Sequence, residues 1–282
     1  MNILRRLRPG DRAKGTASEW TLSIRDKTAL ITGSSDGLGL AMAGELARAG
    51  CNIVLHGLAP SDEVRERSES MARVHGVEVG YFQADLADPE AIERMLADIG
   101  ARHGPVDILV NNAVTRHFAP IESFPVHCWD RALAVNLSAA FHAIRLSLPA
   151  MRARGWGRIF NMTSVYGVRA VANRIDYVTT KSALIAMTRA IALETLNQGI
   201  TCNAICPGAV LTPASDGRIQ ALMKQSGLER DEATQGFLSG KQPTRRFVDP
   251  AHVAELVVFL CGAAGSDITG AMLPVEGGWL AS

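Results

Sequence analysis

Tyr177 and Lys181 stand four residues apart in a segment with helical periodicity, a spacing that puts both side chains on one helix face. A free phenol has a pKa of about 10, and an ammonium beside it favours the phenolate. The pair could take a proton from an alcohol or return one to a carbonyl, worth roughly 10²–10⁴-fold in rate. Ser164 lies just past the end of a short apolar run, where its hydroxyl could hydrogen-bond a substrate oxygen as charge develops on it. Alone, a Tyr and a Lys at this spacing are more often a surface pair without chemistry.

A second pattern changes that weighting. Thr32-Gly33-Ser34-Ser35-Asp36-Gly37-Leu38-Gly39 joins an apolar run to a helical one. Glycines in such a turn let the backbone approach a pyrophosphate at a helix N-terminus, whose amides and dipole favour anions. The spacing is Gly-x3-Gly-x-Gly rather than Gly-x-Gly-x2-Gly.

The elements that must carry these residues alternate along the chain. Short apolar runs at 28–33, 52–55, 77–83, 106–111, 157–162, 200–205 and 272–275 read as strands. Helical patterns lie between them, at 39–49, 61–74, 89–99, 128–151 and 176–197, with another at 250–261. This alternation predicts an α/β fold: one doubly wound Rossmann domain, with a seven-stranded parallel sheet and helices on both faces. Residues 1–26 read as a flexible N-terminal arm, 27–282 as the domain, and about 209–247 as a polar, mobile lid.

Bulk properties narrow the function. The chain has 282 residues, 47% hydrophobic and 20% charged, ordinary values for a globular protein with a sizeable core. With 29 Lys+Arg against 28 Asp+Glu, the charge balance is no footprint for nucleic acid or an anionic membrane. No stretch reads as a bilayer span, and the arginine-rich N-terminus lacks the apolar core of a secretory signal. Five scattered cysteines show no metal-ligand spacing and read as small buried thiols, so no metal site is expected. A cytoplasmic location is expected.

Several motifs in order resemble the short-chain dehydrogenase/reductase family. They are Thr32-Gly33 with Gly37 and Gly39, Asp85 in Ala-Asp-Leu, Asn111-Asn112-Ala113, Asn136, Ser164, Tyr177 with Lys181, and Pro207-Gly208 with Thr212. The resemblance covers nearly all of the chain from Lys27 onward. It implies catalysis by Asn136, Ser164, Tyr177 and Lys181, with Asn136 holding a water that links Lys181 to solvent. It implies a nicotinamide dinucleotide held by Gly33, Ser35, Asp36, Gly37, Leu38, Gly39, Asp85, Leu86, Asn112, Ala113, Tyr177, Lys181, Pro207, Gly208, Val210 and Thr212. A homotetramer packed through the two long helices is also implied. Asp36 in the turn would repel a 2′-phosphate, so NAD is favoured over NADP. His56, after the second strand, could pair with a phosphate if protonated.

Within the family, Asn52-Ile-Val-Leu-His-Gly, Trp156-Gly-Arg-Ile, Thr201–Gly208, Lys241-Gln-Pro and Gly277–Ala281 resemble the bacterial D-3-hydroxybutyrate dehydrogenases. Carried over by position, that substrate pocket becomes Arg116, Tyr166, Arg174, Ala209, Arg218 and Trp279. An alanine at 209 vacates aromatic volume, and three guanidiniums add donors suited to carboxylates. The expected reaction is oxidation of a secondary alcohol in a hydroxy acid, 3-hydroxybutyrate-like or larger and more anionic, a dicarboxylate or an acidic sugar. The alternatives are an NADP-dependent 3-oxoacyl thioester reductase and a non-catalytic dinucleotide-binding member of the family.

Overall fold

A computed structural model describes residues 24–282. Among these residues, seven strands form one parallel sheet in the order β3-β2-β1-β4-β5-β6-β7. The strands are β1 (Thr28–Ile31), β2 (Asn52–Gly57), β3 (Val79–Gln83), β4 (Ile108–Asn111), β5 (Gly157–Met162), β6 (Ile200–Pro207) and β7 (Met272–Val275). Strand order reverses at β1, which pairs with β2 on one side and β4 on the other. A crevice opens beyond the carboxyl ends of the strands at such a reversal, and ligands bind there in open α/β sheets.

The strands are apolar on both faces because both faces are covered. Side chains point alternately to opposite faces. Ala29, Ile31, Ile53, Leu55, Ile108, Val110, Phe160 and Met162 enter one core, packed with α1 (Gly37–Arg48) and the apolar helix Pro250–Cys261. Leu30, Val54, Leu109 and Ile159 enter the other, with the helices Pro89–His103 and Ala139–Arg154. Ile24, three residues ahead of the expected boundary at Lys27, is fully buried in the first core. The rest of the expected arm lies outside the described residues.

The expected helix at 128–151 is interrupted. Val126–Leu133 is α-helical, Ala134–Ser138 forms one π turn, and the α-helix resumes at Ala139. A single π turn inserts an extra residue and re-aims side chains, and here the turn contains Asn136. The segment expected to be a polar, mobile lid forms helices at Pro213–Ser226 and Arg230–Leu238. Thr212 and Ser215 make a reciprocal capping box at the start of the first, with Pro213 at its opening position. The two ends of this segment meet where the Val248 amide donates to the Ala209 carbonyl at 2.8 Å.

Candidate active site

The phosphate-type turn between β1 and α1 depends on glycine at three points. Gly33 and Gly37 have φ of +62° and +55°, which side chains rarely adopt. At Gly39 a Cβ would lie 2.3 Å from the Gly33 carbonyl and 2.7 Å from Asn112 Nδ2. Asn112 braces this turn: its Nδ2 donates to the Thr32 and Gly33 carbonyls at 2.9 and 2.8 Å. Thr32 Oγ1 accepts from the amides of Asn112 and Ala113 at 2.9 and 3.0 Å. Asp36 sits at the helix N-cap, exposed, with its side chain capping no amide among the described residues.

His56 has a different role from the one expected. It is 2% exposed, and its Nδ1 accepts from the Gly33 amide at 3.0 Å. Its Nε2 lies 3.1 Å from the Ala84 carbonyl and must therefore carry the proton. Burial holds the imidazole below its usual pKa, against the opposing pull of that carbonyl. Both nitrogens are committed, so a neutral His56 shapes the turn and does not pair with a phosphate.

A cavity of about 1300 Å³ extends from this turn past the end of β6 to Trp279. That exceeds the 300–1,000 Å³ of a drug-sized pocket, leaving room for a dinucleotide and a small substrate together. Every expected cofactor residue lines it: Gly33, Ser35, Asp36, Gly37, Leu38, Gly39, Asp85, Leu86, Asn112, Ala113, Tyr177, Lys181, Pro207, Gly208, Val210 and Thr212. The glycine turn at a helix N-terminus, with no room for a Cβ at Gly39, fits a pyrophosphate. Two cations near this end escaped the sequence reading. Arg131 grips Asp85 through two hydrogen bonds of 3.1 and 3.2 Å. The Ala87 amide and then Arg131 hold the Asp85 carboxyl below its usual range. Arg67 donates to the Ser35 carbonyl at 2.5 Å from outside the cavity lining.

The helix Ile175–Glu194 carries Tyr177 and Lys181 into the cavity, both buried. Lys181 Nζ donates to the Met162 carbonyl at 2.6 Å and lies 5.6 Å from the centre of the Tyr177 ring. Burial alone would raise the phenol's pKa. Lys181, Arg116, a hydrogen bond from Ser164 and Arg174 outweigh it, so Tyr177 lies below its ordinary value. Burial lowers Lys181 to about 8, with Tyr177 opposing and Arg116 reinforcing the shift. The Asp176 carboxylate accepts from the Tyr177 and His117 amides at 2.6 and 2.9 Å, pinning the helix start to the loop after β4.

Asn136 is buried. Its Oδ1 accepts from the Thr115 amide at 2.7 Å, while Nδ2 donates to the Thr115 carbonyl at 3.0 Å and faces Thr180 Oγ1 at 3.4 Å. The side chain therefore ties the loop after β4 to the tyrosine helix.

All six expected substrate residues line the same cavity. Arg174, 7% exposed, stacks 4.3 Å from the Tyr177 ring centre and 4.4 Å from that of Phe118. Its Nε and Nη2 are buried with no hydrogen-bond partner among the described residues. Arg116 lies 5.2 Å from the Tyr177 ring and Arg218 lies 4.5 Å from the Phe118 ring. Trp279 meets Tyr166 edge-on at 5.3 Å, and Tyr166 meets Tyr177 the same way at 6.4 Å. Ala209 leaves its part of the wall open, with its amide held by Gln242 Oε1. Phe118 and Lys241 also line the cavity, unassigned by the sequence reading. Cys128, expected to be buried, is half-exposed, unlike the other four cysteines.

A glycine turn at the sheet's reversal point, with a Ser, Tyr and Lys converging beside it, defines a dinucleotide-dependent oxidoreductase. The chain belongs to the short-chain dehydrogenase/reductase family: a family model described as enoyl-(acyl carrier protein) reductase matches residues 33–280. It is 41% identical over 255 residues to the D-beta-hydroxybutyrate dehydrogenase of Rhizobium meliloti (strain 1021), covering 90% of this chain and 99% of that protein. The protein of the same name from Cupriavidus necator is 40% identical over 258 residues, covering 92% and 99%. Among solved structures, the L-sorbose reductase of Gluconobacter frateurii, complexed with NADPH and L-sorbose, superposes with a TM-score of 0.88 at 33% identity, covering 92% and 98%. No helix among the described residues is long and apolar enough to cross a membrane.

Proposed function

We propose that the chain is an NAD-linked dehydrogenase that interconverts the secondary alcohol and the ketone of a carboxylate-bearing hydroxy acid. The observation that carries this is Arg174: a buried guanidinium with two unused donor nitrogens, stacked on the ring of Tyr177. Unpaired buried donors cost free energy until a ligand supplies acceptors, and a carboxylate matches the guanidinium fork. The relatives named D-beta-hydroxybutyrate dehydrogenase support a 3-hydroxybutyrate-like acid, and the vacated wall at Ala209 supports a larger or more anionic one.

A nicotinamide dinucleotide in the cavity supplies the hydride acceptor for oxidation and the donor for reduction. Tyr177 takes the hydroxyl proton of the alcohol, or returns it to the carbonyl oxygen. Lys181 keeps the phenolate accessible through its charge, and Ser164 donates to the same substrate oxygen. Asn136 positions the loop that carries Arg116 against the tyrosine helix. Asp36 supports NAD, because it lines the cavity with no ion pair among the described residues, and a carboxylate there would repel a 2′-phosphate. The neutral, committed His56 supports the same choice. Exposed Phe141 and Leu193, on the two long helices, support a homotetramer packed through those faces. Free cysteines fit a reducing compartment, the cytoplasm.

The test is NADH formation at 340 nm with hydroxy acids and with their methyl esters, NADP being run in parallel. Turnover of the acids well above their esters is expected. Equal turnover of acid and ester would remove the carboxylate from the reading, and faster turnover with NADP would reverse the cofactor assignment.

A further inference from the structure

Four cations converge on the substrate end of the cavity: Arg116, Arg174, Arg218 and Lys241. None of them makes an ion pair with a carboxylate among the described residues. The acidic residues lining the cavity are Asp36 and Asp85, both at the turn end, and Asp85 is already gripped by Arg131. Burial lowers the pKa of Arg174, Arg218 and Lys241, and repulsion from neighbouring cations adds to it at each, with Tyr177 opposing at the two guanidiniums. A single carboxylate would neutralise one of four charges.

The four divide into two groups. Arg116 and Arg174 stack on Tyr177, beside the reacting groups. Arg218 and Lys241 belong to the lid: Arg218 rides on the helix Pro213–Ser226, and Lys241 follows Arg230–Leu238 with its ammonium 3.8 Å from the Phe237 ring centre. Phe118 links the groups, because the guanidiniums of Arg174 and Arg218 both rest on its ring, at 4.4 and 4.5 Å. The two guanidinium carbons are therefore within about 9 Å of each other, a gap that a short diacid can bridge.

Resting on the hydroxy-acid reading of this cavity, we propose that Arg218 and Lys241 form a second anion subsite, and that the substrate is a hydroxy acid with a second anionic group at its far end. The first carboxylate meets Arg174 and Arg116 next to the carbinol carbon. The second, a carboxylate or a phosphate, meets the lid cations and draws the lid onto the substrate. A monocarboxylate would engage the first pair only.

Calorimetric titration of the NADH-saturated protein with glutarate and with monomethyl glutarate tests this directly. The two share a carbon chain and differ by one charge. Glutarate is expected to bind at least roughly tenfold tighter, as a charge-assisted contact predicts, with that ratio falling toward one in Arg218→Gln and in Lys241→Gln. Equal affinities in the parent protein, no binding of either ligand, or an unchanged ratio in both variants would overturn the second subsite. Glutarate preference without turnover of any hydroxy acid would instead refute the hydroxy-acid reading. Turnover of 3-hydroxybutyrate without glutarate preference would refute the subsite alone.

Discussion

Replacing Arg174 by Met separates two roles that a buried arginine can play. In the free protein, its Nε and Nη2 are buried without partners among the described residues, a state that costs about 1–3 kcal/mol. Its stacking on Phe118 and Tyr177 returns about 0.5–2 kcal/mol. Met keeps the apolar stem and loses both contributions, so they nearly cancel. At about 2–4 °C per kcal/mol for a domain of this size, Tm should move by no more than a few degrees. Activity should behave differently. Loss of a charged hydrogen bond to the substrate, worth about 1.5–3 kcal/mol, lowers kcat/KM by about 10–150-fold. The loss should appear mainly in KM, because the carboxylate is held in both ground and transition states. Thermal unfolding and steady-state oxidation of a 3-hydroxy acid read the two effects separately. A fall in Tm beyond 10 °C with kcat/KM changed less than twofold would make Arg174 a structural residue and refute the reasoning.

Three further outcomes follow from the same geometry. Arg116 lowers the pKa of Tyr177, so Arg116→Met should move the alkaline-rising limb of the oxidation pH profile to higher pH; an unmoved or acid-shifted limb would contradict this. His56 is held below its usual pKa of about 6.5, so the unfolded chain binds its proton first and stability falls as pH drops through that value. The loss of Tm between pH 7 and pH 5.5 should therefore shrink in His56→Asn, and an equal loss would place the titration elsewhere. Asp36→Arg should raise the kcat/KM ratio of NADP to NAD by at least about tenfold by exchanging repulsion for attraction at the turn, which parallel assays with both cofactors would show.

The sheet was legible because its strands are buried on both faces: Leu30 points to one core while Ala29 and Ile31 point to the other, and the run is apolar throughout. The glycine turn and the Tyr177–Lys181 spacing were legible because they are local. The lid helices were not. In Pro213–Ser226 the buried residues are Ser215 and Ile219, and in Arg230–Leu238 they are Ala233 and Leu238, too few for a periodic apolar signal. The π turn at Ala134–Ser138 left no trace because no proline or glycine marks it. Arg116, Arg174 and Arg218 could be named only by position within the family pattern, since the convergence that gives them meaning is tertiary. Lys241, Phe118 and Arg131 join the cavity in the same way, from segments distant in sequence, and no local spacing announces them. His56 could be read as a phosphate partner because its actual partners, the Gly33 amide and the Ala84 carbonyl, are backbone groups that no side-chain pattern reveals.

The most direct test of the central claim is a single-turnover measurement of NADH formation at saturating NAD and 3-hydroxy acid, in the parent protein and in Tyr177→Phe. Hydride transfer is expected in the parent and a roughly 10²–10⁴-fold slower rate in the variant, with NADH affinity retained. Equal rates in both proteins would remove Tyr177 from the proton transfer and contradict the account.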